Sequence, residues 1–487
     1  MIKLSKVADW LVQCRVRMQD AVTTGLDEYL MERVSVIRFG ADPTGVKDST
    51  AAFQAALDAC SDKPGIFGHG RTMIVPGGNY KITAPLYYTW IADTTLVDNH
   101  TRRLSIRGDG SGCTFLNYSG PAGTTPVLTV DGGLVDPHLR VSISGMRIQR
   151  PDQSRVGWGV YFKNVAIMQL QELDVHWFDH GVVFHDVISC KIDHCQFSVN
   201  QRGMIAAKML WTCPNVFDLR HVMFSSNSIQ ALNITDGANF KLDTCTFEGN
   251  GNNKSYESGH RTIQYTGAPV EGGLGLYITN SYFENNFVFS DVCIESNNGE
   301  YPGSFCIELC SFQRTSPTRN CTNHINLSPN SSGGKHRVYL RGNNFKFAGG
   351  YTHQAGDASV VIQTDWVEMY DQGNVYHPMQ APQYQNRVVN GYDNKVVCTA
   401  QVAAGGALLY GHNAASVTKG STGVYSINFK KALTSGSVVA VASTVTAPGR
   451  CIITGYSATG IQVTVQDSGG NATDAIAFNL IATGIML

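Results

Sequence analysis

A six-residue pattern of apolar and polar positions recurs along the middle of the chain. In each copy an apolar residue is followed five positions later by another, usually Phe, and successive copies begin 19 to 36 residues apart. A short constant pattern with variable spacing predicts stacked units whose core strand is fixed and whose connections differ in length. The copies are ISGMRI from Ile143, LDVHWF from Leu173, IDHCQF from Ile192, LRHVMF from Leu219, LDTCTF from Leu242, ITNSYF from Ile278, IELCSF from Ile307, LRGNNF from Leu340 and, in a degenerate form, MYDQGN from Met369.

The type of repeat follows from its length and residues. The copies are too short and too rich in Gly and Asn for a helical period, whereas alternating strands interrupted by turns match them. We therefore predict a parallel β-helix in which each position of the pattern forms a column along the coil. One inward column should contain Phe178, Phe197, Phe224, Phe247, Phe283, Phe312 and Phe345, and a second should contain Cys195, Cys245 and Cys310.

The segment FGADPTGVKDSTAAFQAALDAC runs from a strand through a Pro/Gly turn into a predicted helix near residues 48–60. Asp48 or Ser49 can cap this helix. Its apolar face would comprise Phe53, Ala56, Leu57 and Cys60. Such a helix can cover the open end of a β-coil, which otherwise exposes unpaired backbone groups.

The two ends of the chain have different patterns. Leu4, Val7, Leu11, Cys14, Met18 and Ala21 follow the 3,4 spacing of a coiled-coil seam, although an amphipathic helix packed on its own chain explains them as well. From Lys395 onward, short uncharged alternating segments contain only two acids, Asp467 and Asp474. This favours an antiparallel β-sandwich buried against partner chains. A solitary folded module is the alternative.

Composition narrows the functional classes. The chain has 487 residues, 15% charged residues and a net charge of -1, so we expect no nucleic-acid partner. No apolar run approaches the roughly 20 residues that span a bilayer, and we expect no membrane insertion. The sequence begins without a recognisable signal peptide, and its 13 cysteines are interpreted as free buried thiols.

The segments VIRFGADPTGVKDSTAAFQAAL and IVPGGNYKIT resemble the beginning of the pectate-lyase-like right-handed β-helix superfamily, in particular the tailspike depolymerases of bacteriophages. The resemblance covers roughly residues 34 to 375 and is more specific for the fold than for the reaction. It implies a homotrimer on the virion, attached through its N-terminus to the phage tail, baseplate or an adaptor. Such a protein is assembled in the host cytoplasm and acts at the host cell surface.

These observations predict three segments. Residues 1–33 would form a helical neck, residues 34–390 a right-handed parallel β-helix that carries the glycan-binding and catalytic surface, and residues 395–487 a C-terminal antiparallel β-sandwich for trimerisation and glycan contact.

Two carboxylates are the main catalytic candidates. Glu248 and Glu284 each follow the Phe of their pattern, in consecutive copies. Adjacent rungs lie about 4.8 Å apart, so the two side chains should be neighbours outside the coil. Because like charges repel, one should hold its proton to higher pH, as an acid paired with a base or nucleophile requires. The alternative is a solvated turn edge, because the column is otherwise polar: Gln149, Asp179, Ser198, Ser225, Gln313 and Lys346.

The longest interval, 36 residues, separates these two copies and can form a groove wall. We expect substrate contacts there from Tyr256, His260, Arg261 and Tyr265, and the same segment contains Lys254 and Glu257. The following loop adds Asp291, Glu295 and Glu300. Asp243 is a third catalytic candidate and Glu308 a further substrate-binding candidate. Asp174, Asp179 and Asp193 are weaker ones.

No cofactor or metal is predicted. The cysteine column is spread over alternate rungs, and His176, His180 and His185 are interpreted in the same way, as residues without a ligand role. Asp243 beside Thr279 gives no cluster of acids for calcium.

Three functions remain open at this stage. The preferred one is endo-hydrolysis of a bacterial capsule or O-antigen polysaccharide by the two glutamates. The second is a polysaccharide lyase, for which His260, Arg261 and Tyr265 would matter more. The third is a receptor-binding fibre that adheres to glycan without cleaving it.

Overall fold

The structure is a computed structural model that describes residues 33–60, 72–89, 103–133, 139–210, 212–251, 260–267, 274–299, 303–315, 321–331, 335–347, 358–362, 367–376, 395–430, 439–445, 448–457 and 459–484. It is almost entirely β-structure. The proposed neck, apart from Arg33, lies outside these residues. Among the described residues, no helix has the length and apolar character to cross a membrane.

Parallel ladders of strands build the first part of the chain, and we call them face 1, face 2 and face 3. Face 1 contains β1 (Arg33–Ser35), β2 (Thr72–Val75), β5 (Arg103–Gly108), β12 (Ser189–Asp193), β15 (Asn215–Arg220), β18 (Ala238–Asp243), β21 (Leu274–Thr279), β24 (Ser304–Glu308), β27 (His336–Arg341) and β30 (Val367–Gln372). Face 2 contains β3 (Gly78–Ile82), β6 (Thr114–Tyr118), β13 (Gln196–Ser198), β16 (Met223–Ser225), β19 (Thr246–Glu248), β22 (Tyr282–Glu284), β25 (Ser311–Arg314), β28 (Asn344–Phe347) and β31 (Val375–Tyr376). The long strands β8 (Leu139–Gln149) and β10 (Val165–His176) belong to both.

Face 3 is a separate ten-stranded sheet. It contains β4 (Leu86–Thr89), β7 (Pro126–Asp131), β9 (Trp158–Lys163), β11 (His180–His185), β14 (Arg202–Ala207), β17 (Gln230–Thr235), β20 (Arg261–Thr266), β23 (Val288–Gly299), β26 (Cys321–Ser331) and β29 (Ala358–Ile362). The chain visits the three faces in turn and pairs each strand with its equivalent one coil later. This is the predicted parallel β-helix.

A column of aromatic rings fills the interior beneath face 2. Phe224, Phe247, Phe283, Phe312 and Phe345 are stacked with centroid distances of 4.5 to 5.1 Å. All five are fully buried. Because successive side chains of a strand point to opposite sides, this column fixes which residues of face 2 point outward.

The register corrects two copies of the sequence pattern. Val175, and not Phe178, pairs with Ile148 and Phe197, so the copy begins at Leu170 rather than Leu173. Phe178 is buried but lies beyond the strand, and His176 takes the column position assigned to Asp179. Leu170 with Val175 and Leu173 with Phe178 both place two apolar residues five positions apart. The preference for Phe at the second position led to the wrong choice of Leu173.

The last copy is also displaced. Tyr376 pairs with Phe345 and Val375 with Asn344. By backbone register the copy therefore ends at Tyr376 and begins two residues later than Met369. Met369 is buried farther back along β30.

The predicted helix is present as α1 (Thr50–Cys60). The Asp48 carboxylate accepts the Thr50 backbone N–H at 3.0 Å and so caps the helix, whereas the Ser49 hydroxyl accepts the Asp42 N–H at 2.9 Å. The Phe53 ring lies 5.1 Å from that of Tyr80 in β3. The helix is thereby packed on the first coil by its apolar face.

The column of Cys195, Cys245 and Cys310 is buried, and these three cysteines are free thiols. Burial raises the pKa of each of these three thiols to about 12. They are therefore protonated apolar fillers, in agreement with the sequence interpretation.

A second compact unit contains Arg387–Leu487 together with Glu368–Tyr370. It has two four-stranded antiparallel sheets that share one hydrophobic core, which includes Tyr425, Val463 and Phe478. The strands are β32 (Lys395–Val402), β33 (Leu408–His412), β34 (Ala414–Lys419), β35 (Val424–Phe429), β36 (Val439–Thr444), β37 (Gly449–Ser457), β38 (Gly460–Asp467) and β39 (Phe478–Gly484).

Candidate functional site

Glu248 and Glu284 are neighbours on the outer surface of face 2. They pair in register between β19 and β22, directly beside the pair Phe247 and Phe283. Those two rings stack inside the coil at 4.7 Å, so both carboxylates point outward. The adjacency inferred from the sequence is therefore present, with Glu248 exposed and Glu284 half-buried.

Glu284 is held by several hydrogen bonds. The Tyr282 hydroxyl donates to Glu284 Oε2 at 2.8 Å, and Thr315 Oγ1 and Asn285 Nδ2 donate to Oε1 at 3.4 Å each. Among the described residues, no side chain donates to the Glu248 carboxylate. The two members of the pair thus differ in environment: Glu284 is held by hydrogen bonds, and Glu248 is exposed to solvent.

Tyr282 is a functional candidate that the sequence analysis missed. Burial, the hydrogen bond to Glu284 and the charges of Glu284 and Glu248 raise its pKa to about 12. The phenol therefore remains a hydrogen-bond donor at every physiological pH. Its signal in the sequence is the alternation within YFE, which puts Tyr282 and Glu284 on the same side of β22.

Asp243 and Glu308 lie on face 1 beside the pair. Asp243 pairs with Thr279, which pairs with Glu308, so one rung separates these two acids. The hydrogen bond from Asn280 is the main cause of the lowered pKa of Asp243. The Tyr277 hydroxyl donates to Glu308, and that bond is the main reason why the pKa of Tyr277 rises to about 12.

These six side chains occupy three successive coils, and we call them the carboxylate surface: Asp243, Glu248, Tyr277, Tyr282, Glu284 and Glu308. Two phenols each donate to a carboxylate within this surface. A surface that alternates acids with hydrogen-bond donors suits the hydroxyl groups of a carbohydrate.

The substrate-binding candidates of the 36-residue interval that the structure describes lie at or in β20 of face 3, and not on the carboxylate surface. Arg261 begins β20 on face 3, where its guanidinium pairs with Glu295 at 2.9 Å and lies 5.0 Å from the Phe289 ring. Burial opposes ionisation of Glu295, but hydrogen bonds from Cys293 and Arg261 lower its pKa. His260 is half-buried beside this group. Tyr256 lies in residues 252–259, outside the described part of the chain.

Tyr265 is not on the surface, which corrects its assignment as a substrate contact. It is fully buried, its hydroxyl donates to the Gly237 carbonyl, and burial raises its pKa. Within β20 the inward residues are Ile263 and Tyr265. The alternation of apolar and polar residues along β20 already indicates that Tyr265 points inward. The sequence analysis instead expected its ring to stack on a sugar.

A ladder of buried asparagines was also missed. The Asn250 side chain donates to the Phe224 carbonyl at 2.9 Å, and its backbone N–H donates to Asn286 Oδ1 at 2.9 Å. Asn227 and Asn200 repeat these bonds one and two coils earlier, respectively. Each lies three residues after a Phe of the inner column, so an F-x-x-N signal was available. The ladder fixes the turns that follow Glu248 and Glu284.

The ladder ends at a buried charge cluster. The Asn286 amide donates to Asp291 Oδ1 at 2.9 Å, and Asp291 Oδ2 contacts both Arg314 and His324. Asp291, Arg314 and His324 have no exposed side-chain surface. Asp291 is therefore an interior residue and not part of the surface loop in which the sequence analysis included it.

Comparisons with known proteins point to the fold. The structure of Geobacillus virus E2 ORF18 aligns with a TM-score of 0.56 and 16% identity over 92% of this chain and 78% of that one. The tailspike protein gp49 from Pseudomonas phage LKA1 aligns with a TM-score of 0.44 and 13% identity over 93% of this chain and 100% of that one. The A-module of the Azotobacter vinelandii mannuronan C-5 epimerase AlgE4 aligns with a TM-score of 0.41 and 13% identity over 73% of this chain and 100% of that one. No protein-family profile and no curated protein sequence matches the chain.

Proposed function

We propose that the protein is a homotrimeric bacteriophage tailspike that binds a bacterial capsule or O-antigen polysaccharide and cleaves it by endo-glycosidic hydrolysis. The observation that carries the proposal is the pair Glu248 and Glu284, in register on the outside of a parallel β-helix. The resemblance of the N-terminal segments to tailspike depolymerases and the fold shared with a protein of Geobacillus virus E2 support the viral setting.

The environments of the two carboxylates suggest their roles. Glu284, oriented by Tyr282, Asn285 and Thr315, acts as the base that activates water or as the nucleophile. Glu248, which is exposed and adjustable, protonates the leaving glycosidic oxygen. A separation near 5 Å in the substrate complex corresponds to retention and one of about 6.5 to 9.5 Å to inversion. No cofactor takes part.

The contacts of the loop residues favour hydrolysis over elimination. A lyase would use Arg261 to neutralise a uronate and Tyr265 or His260 as its base. Arg261 is already paired with Glu295 on face 3, and Tyr265 is buried. The phenol–carboxylate pairs of the carboxylate surface instead fit a site that works through carboxyl groups.

The test is digestion of polysaccharides from a panel of bacterial surfaces, with the products sized by chromatography. New reducing ends without absorbance from an unsaturated sugar are expected. Glu248→Gln and Glu284→Gln should each lower kcat by about 10²- to 10⁴-fold, as loss of an acid or base does. Ser225→Ala, one rung away in the same column, is the matched control and should keep its activity.

Three other outcomes would contradict this proposal. Unsaturated products would indicate a lyase, and binding without shortening of the polymer would indicate an adhesive fibre. Unchanged activity in both glutamine variants would remove the pair from the mechanism.

Assembly is part of the same proposal. Residues 1–33 act as the neck that joins the phage tail, baseplate or an adaptor, and the C-terminal unit clamps the trimer as a β-sandwich with a capacity for glycan contact. Several large apolar side chains of that unit are exposed in the single chain, which supports burial against partner copies: Leu409, Ile452, Tyr456 and Ile481.

A further inference from the structure

Two histidines and an aspartate form a cluster at the turn between face 1 and face 2. His194 and His221 occupy the same turn position on successive coils, with φ of 52° and 51°. Asp193 immediately precedes His194 and pairs with Arg220 on the next coil. The cluster is one coil from the carboxylate surface and shares none of its residues.

Both histidines contact the same carboxylate oxygen of Asp193. Asp193 Oδ1 lies 2.9 Å from His194 Nδ1 and 3.3 Å from His221 Nδ1. The two imidazole rings stack at 4.5 Å with an interplanar angle of 26°. All three potential ligand atoms lie within 4.8 Å of one another. Two nitrogens and one carboxylate oxygen thus lie close enough together to share one ion.

We propose that Asp193, His194 and His221 bind a divalent transition-metal ion. Ligand bonds of about 2.0 to 2.2 Å put donor atoms on one ion roughly 3.0 to 3.4 Å apart. The aspartate–histidine distances of 2.9 and 3.3 Å lie near this spacing. On binding, each neutral imidazole carries its proton on Nε2, so that Nδ1 offers its lone pair to the ion.

The donor set selects the class of ion. Two imidazole nitrogens with one carboxylate suit Zn²⁺, Ni²⁺, Co²⁺ or Cu²⁺, whereas Ca²⁺ and Mg²⁺ require oxygen ligands. The side chains of His194 and His221 are 59% and 50% exposed. The remaining coordination positions therefore face solvent and take water or an oxygen atom of a bound ligand.

Neighbouring charges do not block the site. Arg220 pairs in register with Asp193, but its guanidinium is bound to Asp218 at 2.9 Å. The other nearby cation, Lys191, is exposed on the same side of β12. The backbone supports the site as well, because His is one of the non-glycine residue types that tolerate positive φ. An ion here would link two coils through residues 28 positions apart.

The experiment is calorimetric titration of the full-length, untagged protein with Ni²⁺ near neutral pH, followed by Co²⁺ absorption spectra. Wild type should bind one ion per chain more than the variant Asp193→Asn/His194→Asn/His221→Asn. Asn is the replacement of choice because it also accepts the turn conformation. Single His194→Asn or His221→Asn variants should bind that ion at least tenfold more weakly, and their Co²⁺ spectra should lose the ligand-field bands.

The matched control is His185→Gln, which removes an imidazole that is hydrogen-bonded to Tyr161 and lies outside the cluster. It should bind like wild type. Equal ion counts and affinities in wild type and the triple variant would overturn the proposal. If the triple variant fails to fold by circular dichroism, unchanged binding in both single variants has the same meaning.

Discussion

At the scale of single residues, the contrast between Glu248 and Glu284 comes from one neighbour. Tyr282 lies two positions before Glu284 on the same side of β22 and donates to it at 2.8 Å. The equivalent residue one rung earlier, beside Glu248, is Thr246, whose hydroxyl is too short to serve in the same way. A single aromatic residue therefore makes two chemically identical side chains unequal.

Replacing Tyr282 by Phe should lower kcat about tenfold with little effect on KM. A hydrogen bond to a charged group contributes about 1.5 to 3 kcal/mol, and partial exposure puts this one at the low end. Because the pKa of Tyr282 is about 12, the phenol is a donor throughout the working range. The loss should therefore be the same at pH 6 and pH 9, as measured by initial rates.

Tyr277→Phe is the matched control, since Tyr277 donates to Glu308 in the same way on face 1. It should raise KM and leave kcat within about twofold, as expected for loss of a ground-state contact. If Tyr277→Phe lowered kcat as much as Tyr282→Phe does, the proposed catalytic role would no longer distinguish Glu284 from Glu308.

A buried histidine should make stability sensitive to acid. Burial, together with the Arg314 charge, lowers the pKa of His324 to about 4. The unfolded chain takes up this proton near pH 6.5 and the folded chain only near pH 4, so stability is lost as pH falls through that window. Burial opposes ionisation of Asp291, but Arg314 and His324 lower its pKa below the usual 3.8. Its contribution to the free energy of unfolding is therefore lost as the pH falls below about 3.8.

Urea unfolding at pH 7.5, 5.5 and 4.5 measures this dependence. His324→Asn should be less stable than wild type at pH 7.5 and should lose less stability between pH 6.5 and 4. If the free energy of unfolding fell equally with pH in wild type and His324→Asn, the lowered pKa of His324 would be contradicted. The control is His194→Asn, at an exposed histidine, and its loss of stability between pH 7.5 and 4.5 should equal that of wild type.

At the scale of elements, the asparagine ladder is the device that keeps successive turns in register. Each amide satisfies a backbone carbonyl and a backbone N–H of the preceding coil, as Asn250 does with Phe224 and Asn227. These groups are buried, so they have no access to water if the side chain is removed. The turn after Glu248 depends on this arrangement.

Asn250→Ala should therefore destabilise the protein by about 2 to 4 kcal/mol, because several buried polar groups lose their partners at once. The urea midpoint at pH 7.5 measures the change. Asn79→Ala, at an exposed asparagine of β3, should change the free energy of unfolding by less than about 0.5 kcal/mol. A midpoint for Asn250→Ala equal to that of Asn79→Ala would contradict the structural role of the ladder.

At the scale of the whole molecule, the C-terminal unit combines few acids with exposed apolar side chains. Tyr456 and Leu409 are 63% and 62% exposed in the single chain. Ile452 and Tyr456 lie on the outer side of β37, an edge strand of its sheet. Exposed apolar groups on a sheet edge favour association.

Light scattering of the full-length protein should give the mass of three chains. Ile452→Glu/Tyr456→Glu should shift that mass toward one chain, because each charge would be buried without a partner in the assembly. Lys430→Glu, an exposed change in the same unit, is the control. A monomeric wild type would refute the proposed assembly, whereas a trimeric double variant would exclude β37 from the interface.

The sequence alone determined the coil and its outward acids. A strand places alternate side chains on opposite sides, so the recurring Phe positions were enough to predict an inner column and, with it, that Glu248 and Glu284 point outward on adjacent rungs. The capping helix was equally local, because Asp48 and the apolar face of α1 are separated by only a few residues.

Only the tertiary structure decided the register of the ambiguous copies and the surroundings of each site residue. Leu170 and Leu173 both satisfy the pattern, and pairing with β8 selects the first. Asp291 is an acid beside a loop, and only the packing of the third face shows that it is buried. Such contacts join residues some 20 to 40 positions apart, and a local pattern carries no information on which face a neighbouring coil will cover.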